Sequence, residues 1–155
     1  MIEEIEIPLS ETTTLAARRW GPKTGKRIMA VHGWLDNSAS FERLAPLLTD
    51  CCVVAIDIRG HGKSSHKDEA DSYLIIDAIK DIFFAADYLG WDEFSLLGHS
   101  MGGAICALAA GTVPNRIHQV MCISGLAPME SVDKDATQQL ELSIIQIGSC
   151  RRRGR

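Results

Sequence analysis

Short apolar runs separated by polar turns dominate the first 125 residues of the chain. Four runs are almost continuously apolar: residues 27–31, 51–56, 94–97 and 120–123. Runs of this length and composition are typical of strands that are buried on both faces of a parallel sheet. Residues 2–8 instead alternate between apolar and acidic side chains, which predicts a half-exposed strand with residues 13–20 as its hairpin partner.

Helical periodicity is clearest in residues 71–89. Its apolar stripe comprises Ile75, Ile76, Ile79, Ile82, Phe83 and Ala86. Its opposite side carries Asp77, Lys80, Asp81 and Asp87. This pattern predicts an amphipathic helix, and Gly90 is its predicted C-cap.

Three weaker helical segments complete the pattern. Phe41, Leu44, Leu47 and Leu48 recur at helical spacing, residues 104–110 are mostly small helix formers, and residues 137–147 could form one amphipathic helix. Because strands and helices alternate, the chain is predicted to be an α/β protein. We expect a mostly parallel sheet with helices on both faces, behind an antiparallel N-terminal strand pair.

Composition narrows the class of protein. The 155 residues suffice for one domain with a core, and 46% apolar and 23% charged residues are ordinary for a globular protein. The net charge of −4 implies no general attraction to nucleic acid or anionic membranes, and no nucleic-acid partner is expected. No apolar run approaches the roughly 20 residues of a membrane span. The acidic N-terminus does not resemble a signal peptide.

The chain has five cysteines, an odd number, and no Cys-x-x-Cys pair. Four of them lie in apolar strand or helix segments, where cysteine is usually a small buried hydrophobe. Reduced thiols and a cytoplasmic location are therefore expected. No metal or cofactor site is predicted.

The candidate chemistry centres on residues 98–102, which read Gly-His-Ser-Met-Gly between a predicted strand and a predicted helix. A sharp turn there would strain the backbone of Ser100 and expose its hydroxyl. Gly98 and Gly102 would let neighbouring backbone approach closely. The N–H of Met101, at the helix N-terminus, could then stabilise an oxyanion. The alternative is a glycine-rich turn with an incidental serine.

Two further motifs precede this turn. Residues 32–37 read His-Gly-Trp-Leu-Asp-Asn, and residues 57–64 read Asp-Ile-Arg-Gly-His-Gly-Lys-Ser. In this order the three motifs resemble the α/β-hydrolase fold family, and within it the serine-hydrolase-like proteins near the epoxide hydrolases and haloalkane dehalogenases. The resemblance covers about residues 25–128.

The resemblance implies how the chain is divided. Residues 1–128 are expected to be the N-terminal part of an α/β-hydrolase domain. Residues 129–155 would be the start of a cap region or a non-native tail. The fold is thus expected to be C-terminally incomplete.

The resemblance also implies roles for individual residues. The turn after the first parallel strand would supply a second oxyanion-hole N–H, here the backbone N–H of Trp34, with His32 and Gly33 shaping the turn. Plain packing is the alternative for Trp34. Gly33 and His99 are expected to line the substrate pocket. A serine at position 100, where dehalogenases and epoxide hydrolases have aspartate, favours acyl transfer to and from an ester or thioester.

Other polar residues near the motifs are expected to be structural. Asp57 and Arg59 are interpreted as parts of a tight loop, His61 as structural and His66 as solvated. His99 lies too close to Ser100 in sequence to be its general base.

A serine nucleophile requires a base and an acid that orients the base. The resemblance implies that the acid, and then a histidine as base, follow the serine in the chain. His118 is the only later histidine, and it enters a strand at the edge opposite the site, so it is a poor base. The downstream acids are Glu130, Asp133 and Asp135.

The predicted function is a serine hydrolase that acts on small-molecule carboxylic esters or thioesters through an acyl-enzyme, without a cofactor. Because the base is missing, the 155-residue chain is expected to be inactive. The short basic end, residues 148–155, is explained equally well by a truncation or altered reading frame and by a functional basic tail. The main alternative is a catalytically dead binding or interaction module. A dinucleotide-binding oxidoreductase is weaker, because Gly-x-Gly-x-x-Gly does not follow the first parallel strand.

Overall fold

A computed structural model describes residues 2–66, 73–124 and 146–147 of the chain. Within these residues one sheet has the strand order β1-β2-β4-β3-β5-β6-β7. Its strands are β1 (Glu3–Pro8), β2 (Thr14–Trp20), β3 (Lys26–Val31), β4 (Cys51–Ile56), β5 (Phe94–His99), β6 (Ile117–Ile123) and β7 (Gln146–Ile147). The α-helices are α1 (Ile75–Tyr88) and α2 (Met101–Thr112), and short 3-10 helices span Ser38–Phe41, Ala45–Leu47 and Pro114–Arg116.

The centre of the sheet is parallel. Strands β4, β3, β5 and β6 run in one direction, while the hairpin of β1 and β2 joins antiparallel to β4. Val31 pairs with Ile56 and with Gly98, and Gly98 pairs with Cys122. The carboxyl ends of the four parallel strands therefore lie level, and the segments that follow them meet at one edge, here called the carboxyl edge. The predicted mostly parallel sheet behind a hairpin is confirmed.

Both faces of the sheet are covered. Alternate residues of each strand point to opposite faces, so Val54 and Leu96 join the core under α1 and α2, whereas Val53 and Leu97 join a smaller core on the other face. The smaller core is closed by the 3-10 segments, through residues such as Phe41. Helices on both faces are thus confirmed, with 3-10 helices taking the place of an α-helix on the second face.

The segment around residues 41–48 departs from the predicted helical spacing. It forms two separate 3-10 helices, and Pro46 lies in the first turn of the second one. Leu47, predicted as part of the apolar stripe, is exposed. Proline removes a backbone donor, so it can begin a helix here but cannot continue one.

Helix α1 confirms the clearest predicted helix from Ile75 to Tyr88, and Gly90 caps it. Residues 73–74 of the predicted span precede the helix, and residues 71–72 lie outside the described residues. The N–H of Gly90 donates to the Asp87 carbonyl at 3.0 Å, and the N–H of Trp91 donates to the Ala86 carbonyl at 2.8 Å. These two bonds form a Schellman motif. The predicted apolar stripe is buried at its centre, whereas Ile75 and Ile76 at its start are exposed.

Residues 146–147 form β7, which pairs antiparallel with β6. The helix predicted over residues 137–147 is therefore wrong at these two positions, and residues 137–145 lie outside the described residues. The predicted division at residues 128–129 also lies outside them. No helix in the described part of the chain is both long and apolar enough to cross a bilayer.

Candidate active site

Ser100 lies in the turn between β5 and α2, at the carboxyl edge. Its backbone angles are φ 52° and ψ −119°, in a region that side-chain-bearing residues rarely adopt. Its N–H donates to the Ile123 carbonyl at 2.9 Å, and its carbonyl accepts the Gly103 N–H at 2.9 Å. The strained strand–turn–helix geometry predicted for Ser100 is present, and these two backbone hydrogen bonds hold Ser100 in that conformation.

The two glycines around Ser100 are required by close approach of the backbone. A Cβ atom on Gly98 would lie 2.5 Å from the Gly102 carbonyl oxygen. A Cβ atom on Gly102 would collide with the carbonyl oxygens of Val31 and His32. Helix α2 therefore packs directly on the end of β3, as the Gly-x-Ser-x-Gly pattern predicted.

Backbone strain collects at this edge. Among the described residues, the non-glycine residues with positive φ are Leu35, Ser100 and Ser124, at 55°, 52° and 50°. They follow the carboxyl ends of β3, β5 and β6, which are neighbours in the sheet. Strain of this kind is retained where the surrounding structure enforces it, and it is common at functional sites.

The turn after β3 lies directly against Ser100. A Cβ atom on Gly33 would lie 3.3 Å from the Ser100 Cβ and 3.1 Å from His99 Nδ1. The structure thus brings together three of the predicted site residues, Gly33, His99 and Ser100. The next residue, Trp34, is 67% exposed, so the indole is not buried in the core.

His32 fixes the orientation of this turn. Its buried ring accepts a hydrogen bond from the Ile58 N–H at Nε2, at 3.0 Å, so Nδ1 carries the proton and donates to the Gly33 carbonyl at 2.7 Å. The Gly33 carbonyl and the Trp34 N–H belong to one trans peptide and point in opposite directions. By holding the Gly33 carbonyl, His32 therefore also fixes the direction in which the Trp34 N–H points. Burial lowers the pKa of His32 below its usual value of 6.5, which keeps the ring neutral.

The loop after β4 is structural, in agreement with the sequence interpretation. The buried Asp57 carboxylate accepts the N–H groups of Ser38 at 2.6 Å and Lys63 at 2.8 Å. Arg59 Nε lies 2.7 Å from the carboxylate of Asp81, which is buried on α1. These contacts hold the loop against the 3-10 helix Ser38–Phe41 on one side and against α1 on the other.

His61 packs against the residues of the β3 turn. Its ring lies 5.1 Å from the ring of His32 and 6.0 Å from that of Trp34, edge to face in the latter case. The sequence pattern did not predict this contact, because His61 lies in the loop after β4, whereas His32 and Trp34 lie in the turn after β3.

No described histidine forms a hydrogen bond with the Ser100 hydroxyl. Both ring nitrogens of His32 are engaged elsewhere, and His66 is exposed in the loop. His118 pairs with Glu93 at 3.1 Å at the opposite edge, beside a cavity of about 660 Å³. His99 Nδ1 is buried without a hydrogen-bond partner, against Gly33. The downstream acids, Glu130, Asp133 and Asp135, lie outside the described residues.

The four cysteines in the described part of the chain offer no second nucleophile in this region. Cys51, Cys52, Cys106 and Cys122 are free thiols, and burial raises the pKa of the last three. A raised pKa keeps a thiol protonated and unreactive. Within the described ranges there is no group of three or more histidine, cysteine, aspartate or glutamate side chains that could hold a metal ion.

The chain matches a family model described as alpha/beta hydrolase fold over residues 26–143. It is 32% identical over 145 residues to a serine hydrolase-like protein of Dictyostelium discoideum, covering 92% of this chain and 40% of that protein. It is 41% identical over 117 residues to a probable serine hydrolase of Drosophila melanogaster, covering 74% of this chain and 35% of that protein. The chain thus spans well under half the length of these two relatives.

A solved structure of a hypothetical protein from Pseudomonas aeruginosa superposes with a TM-score of 0.77 at 46% identity, covering 89% of this chain and 48% of that one. The thioesterase domain from the curacin biosynthetic pathway gives a TM-score of 0.76 at 26% identity, covering 92% of this chain and 52% of that domain.

Proposed function

The chain belongs to the α/β-hydrolase fold family, and from that premise we propose that it carries the nucleophile and oxyanion hole of a serine hydrolase for small-molecule carboxylic esters or thioesters. The observation that supports this most directly is the contact of Gly33 with the strained Ser100. That contact brings the turn after β3 close to the Ser100 side chain, which supports stabilisation of an oxyanion by two backbone donors.

In the proposed reaction the Ser100 oxygen attacks the carbonyl carbon of the ester. The backbone N–H groups of Met101 and Trp34 donate to the oxyanion that forms, while Gly33 and His99 line the pocket. Met101 is the first residue of α2, so its N–H has no partner within the helix. The carbon–oxygen or carbon–sulfur bond to the leaving group then breaks, and water releases the acyl group from Ser100 in a second step.

The proton of the serine hydroxyl must pass to a base and then to the leaving group. No described histidine forms a hydrogen bond with the Ser100 hydroxyl, and the two relatives are more than twice as long as the matched portion of this chain. We therefore place the base and its orienting acid in sequence that follows these 155 residues in a longer form. A small-molecule substrate, no cofactor and a cytoplasmic location complete the proposal.

Turnover of a short aryl ester tests this proposal. We expect little turnover by the 155-residue chain, because its serine lacks a base. A form extended to the length of its relatives should hydrolyse the ester. Ser100→Ala should lower the rate of that form by about 10³-fold or more, as removal of a triad member does. Ser95→Ala, on β5, is the matched control.

Two outcomes would contradict the proposal. Rapid turnover by the 155-residue chain that depends on Ser100 would mean that a base lies within it. If the extended form shows no activity that is lost in Ser100→Ala, the result would favour the alternative, a catalytically dead binding module.

A further inference from the structure

An exposed apolar surface continues from the turn beside Ser100. We define it as the apolar rim, comprising Trp34, Leu35, Tyr73 and Leu74, whose exposed fractions are 67%, 81%, 50% and 56%. Large apolar side chains this exposed and this close together commonly mark a binding surface.

The contacts between loops make the rim continuous. The Trp34 ring packs edge to face with the ring of His61. His61 follows Gly60, and the Tyr73 ring covers Gly60 so closely that a Cβ atom there would lie 2.6 Å from the ring. The rim therefore runs from the turn after β3, across the loop after β4, to the segment that enters α1.

The charges beside the rim disfavour an anionic ligand. Asp36 is next to Leu35, and the hydrogen bond from Ser40 Oγ is the main cause that lowers the pKa of Asp36, so it is ionised near neutral pH. Arg59 of the adjacent loop is paired with buried Asp81, and Lys63 is paired with Glu4. A carboxylate on the ligand would thus meet the negative charge of Asp36, while Arg59 and Lys63 are already paired with carboxylates of the chain.

We propose that the apolar rim binds the hydrocarbon part of an uncharged substrate, so that the enzyme selects neutral, apolar esters over esters that carry a carboxylate. This inference rests on the proposed function, because it takes Ser100 as the reacting group. The rim supplies apolar area that the substrate covers on binding, and Asp36 repels acidic competitors.

A matched pair of trifluoromethyl ketones tests the inference in the 155-residue chain. One has a neutral alkyl chain, and the other has the same chain length with a terminal carboxylate. Trp34 is the exposed tryptophan, whereas Trp20 and Trp91 are 2% and 5% exposed, so tryptophan fluorescence reports binding at the rim. The ¹⁹F chemical shift separately reports a hemiketal with Ser100.

We expect the neutral ketone to bind at least about tenfold more tightly than its carboxylate analogue. Leu35→Ala should weaken binding of the neutral ketone, and Leu47→Ala, an equally apolar and exposed site in the 3-10 helix Ala45–Leu47, should leave it unchanged. Asp36→Asn should strengthen binding of the carboxylate analogue and leave binding of the neutral ketone unchanged.

Equal affinities for the two ketones, or equal effects of the two leucine substitutions, would overturn the inference. Because Ser100 lacks a base in the 155-residue chain, a neutral ketone that changes Trp34 fluorescence there without forming a hemiketal would support the rim. Absence of the hemiketal from the extended form as well would contradict Ser100 as the nucleophile. A hemiketal that forms equally well with both ketones would support the nucleophile and overturn the rim's selectivity.

Discussion

At the scale of single residues, His32 illustrates what the sequence could and could not reveal. The family resemblance of the His-Gly-Trp motif after an apolar run implied a shaped turn beside Ser100. The partner that holds the ring, the Ile58 N–H, lies 26 positions away in the loop after β4. No local pattern encodes that pairing, so the way His32 aims the Trp34 N–H emerges only in the fold.

The buried, neutral state of His32 predicts a pH dependence of stability. Its pKa is lower in the folded chain than the usual 6.5, so as pH falls the unfolded chain takes up the proton first. The stabilisation is complete above about pH 6.5 and declines as pH falls below it. We expect the free energy of unfolding, from urea titrations, to fall between pH 7.5 and 5.5, above the range in which the carboxylates titrate.

The matched variant is His32→Gln, which removes the titrating group. It should lower stability at pH 7.5 by about 1–3 kcal/mol, since a buried donor or acceptor loses its partner, and it should flatten the slope with pH. A slope of the same size in His32→Gln would show that another group causes it.

At the scale of elements, long periodic segments were predictable and short ones were not. Helix α1 combines a repeated apolar stripe with a glycine cap, and both are local features of the sequence. The 3-10 segments between β3 and β4 are set instead by Pro46 and by packing of Phe41 into the second core. Asp81 was placed on the polar side of α1, yet it is buried because it pairs with Arg59 from another loop.

The junction of β5 and α2 predicts opposite effects for two glycine substitutions in the same helix. Gly102→Ala should destabilise the chain by about 2 kcal/mol or more, because its Cβ would collide with the Val31 carbonyl at the end of β3. Gly111→Ala meets nothing within 4 Å and should stabilise the helix by about 0.5–1 kcal/mol. Urea unfolding of both variants measures this difference. Similar effects at the two positions would contradict the close packing of α2 on β3.

At the scale of the whole molecule, the level ends of four parallel strands explain why the site forms where it does. The turns after β3 and β5 meet because Val31 and Gly98 are paired in register. Alternation of strands and helices predicted this parallel order, and with it the shared edge. The sequence could not predict how the apolar rim assembles, because its residues come from separate loops that meet only through His61 and Gly60.

The residues at the centre of the candidate site could therefore be predicted from the sequence, whereas the contacts at its boundary could not. Ser100, its flanking glycines and the neighbouring Gly33 belong to short motifs with fixed geometry. The contacts of His61 and Tyr73 depend on loops whose relative placement is a property of the folded sheet.

The central claim, that Ser100 is the nucleophile, is tested most directly by covalent labelling with a fluorophosphonate followed by peptide mapping. The strained turn, with its adjacent N–H donors, should make Ser100 the labelled residue in the extended form, and label should be absent from Ser100→Ala and retained in Ser95→Ala. The 155-residue chain, whose described residues place no base at Ser100, should label far more slowly at the same position. Labelling at another residue, or equal labelling of the Ser100→Ala variant, would contradict the claim.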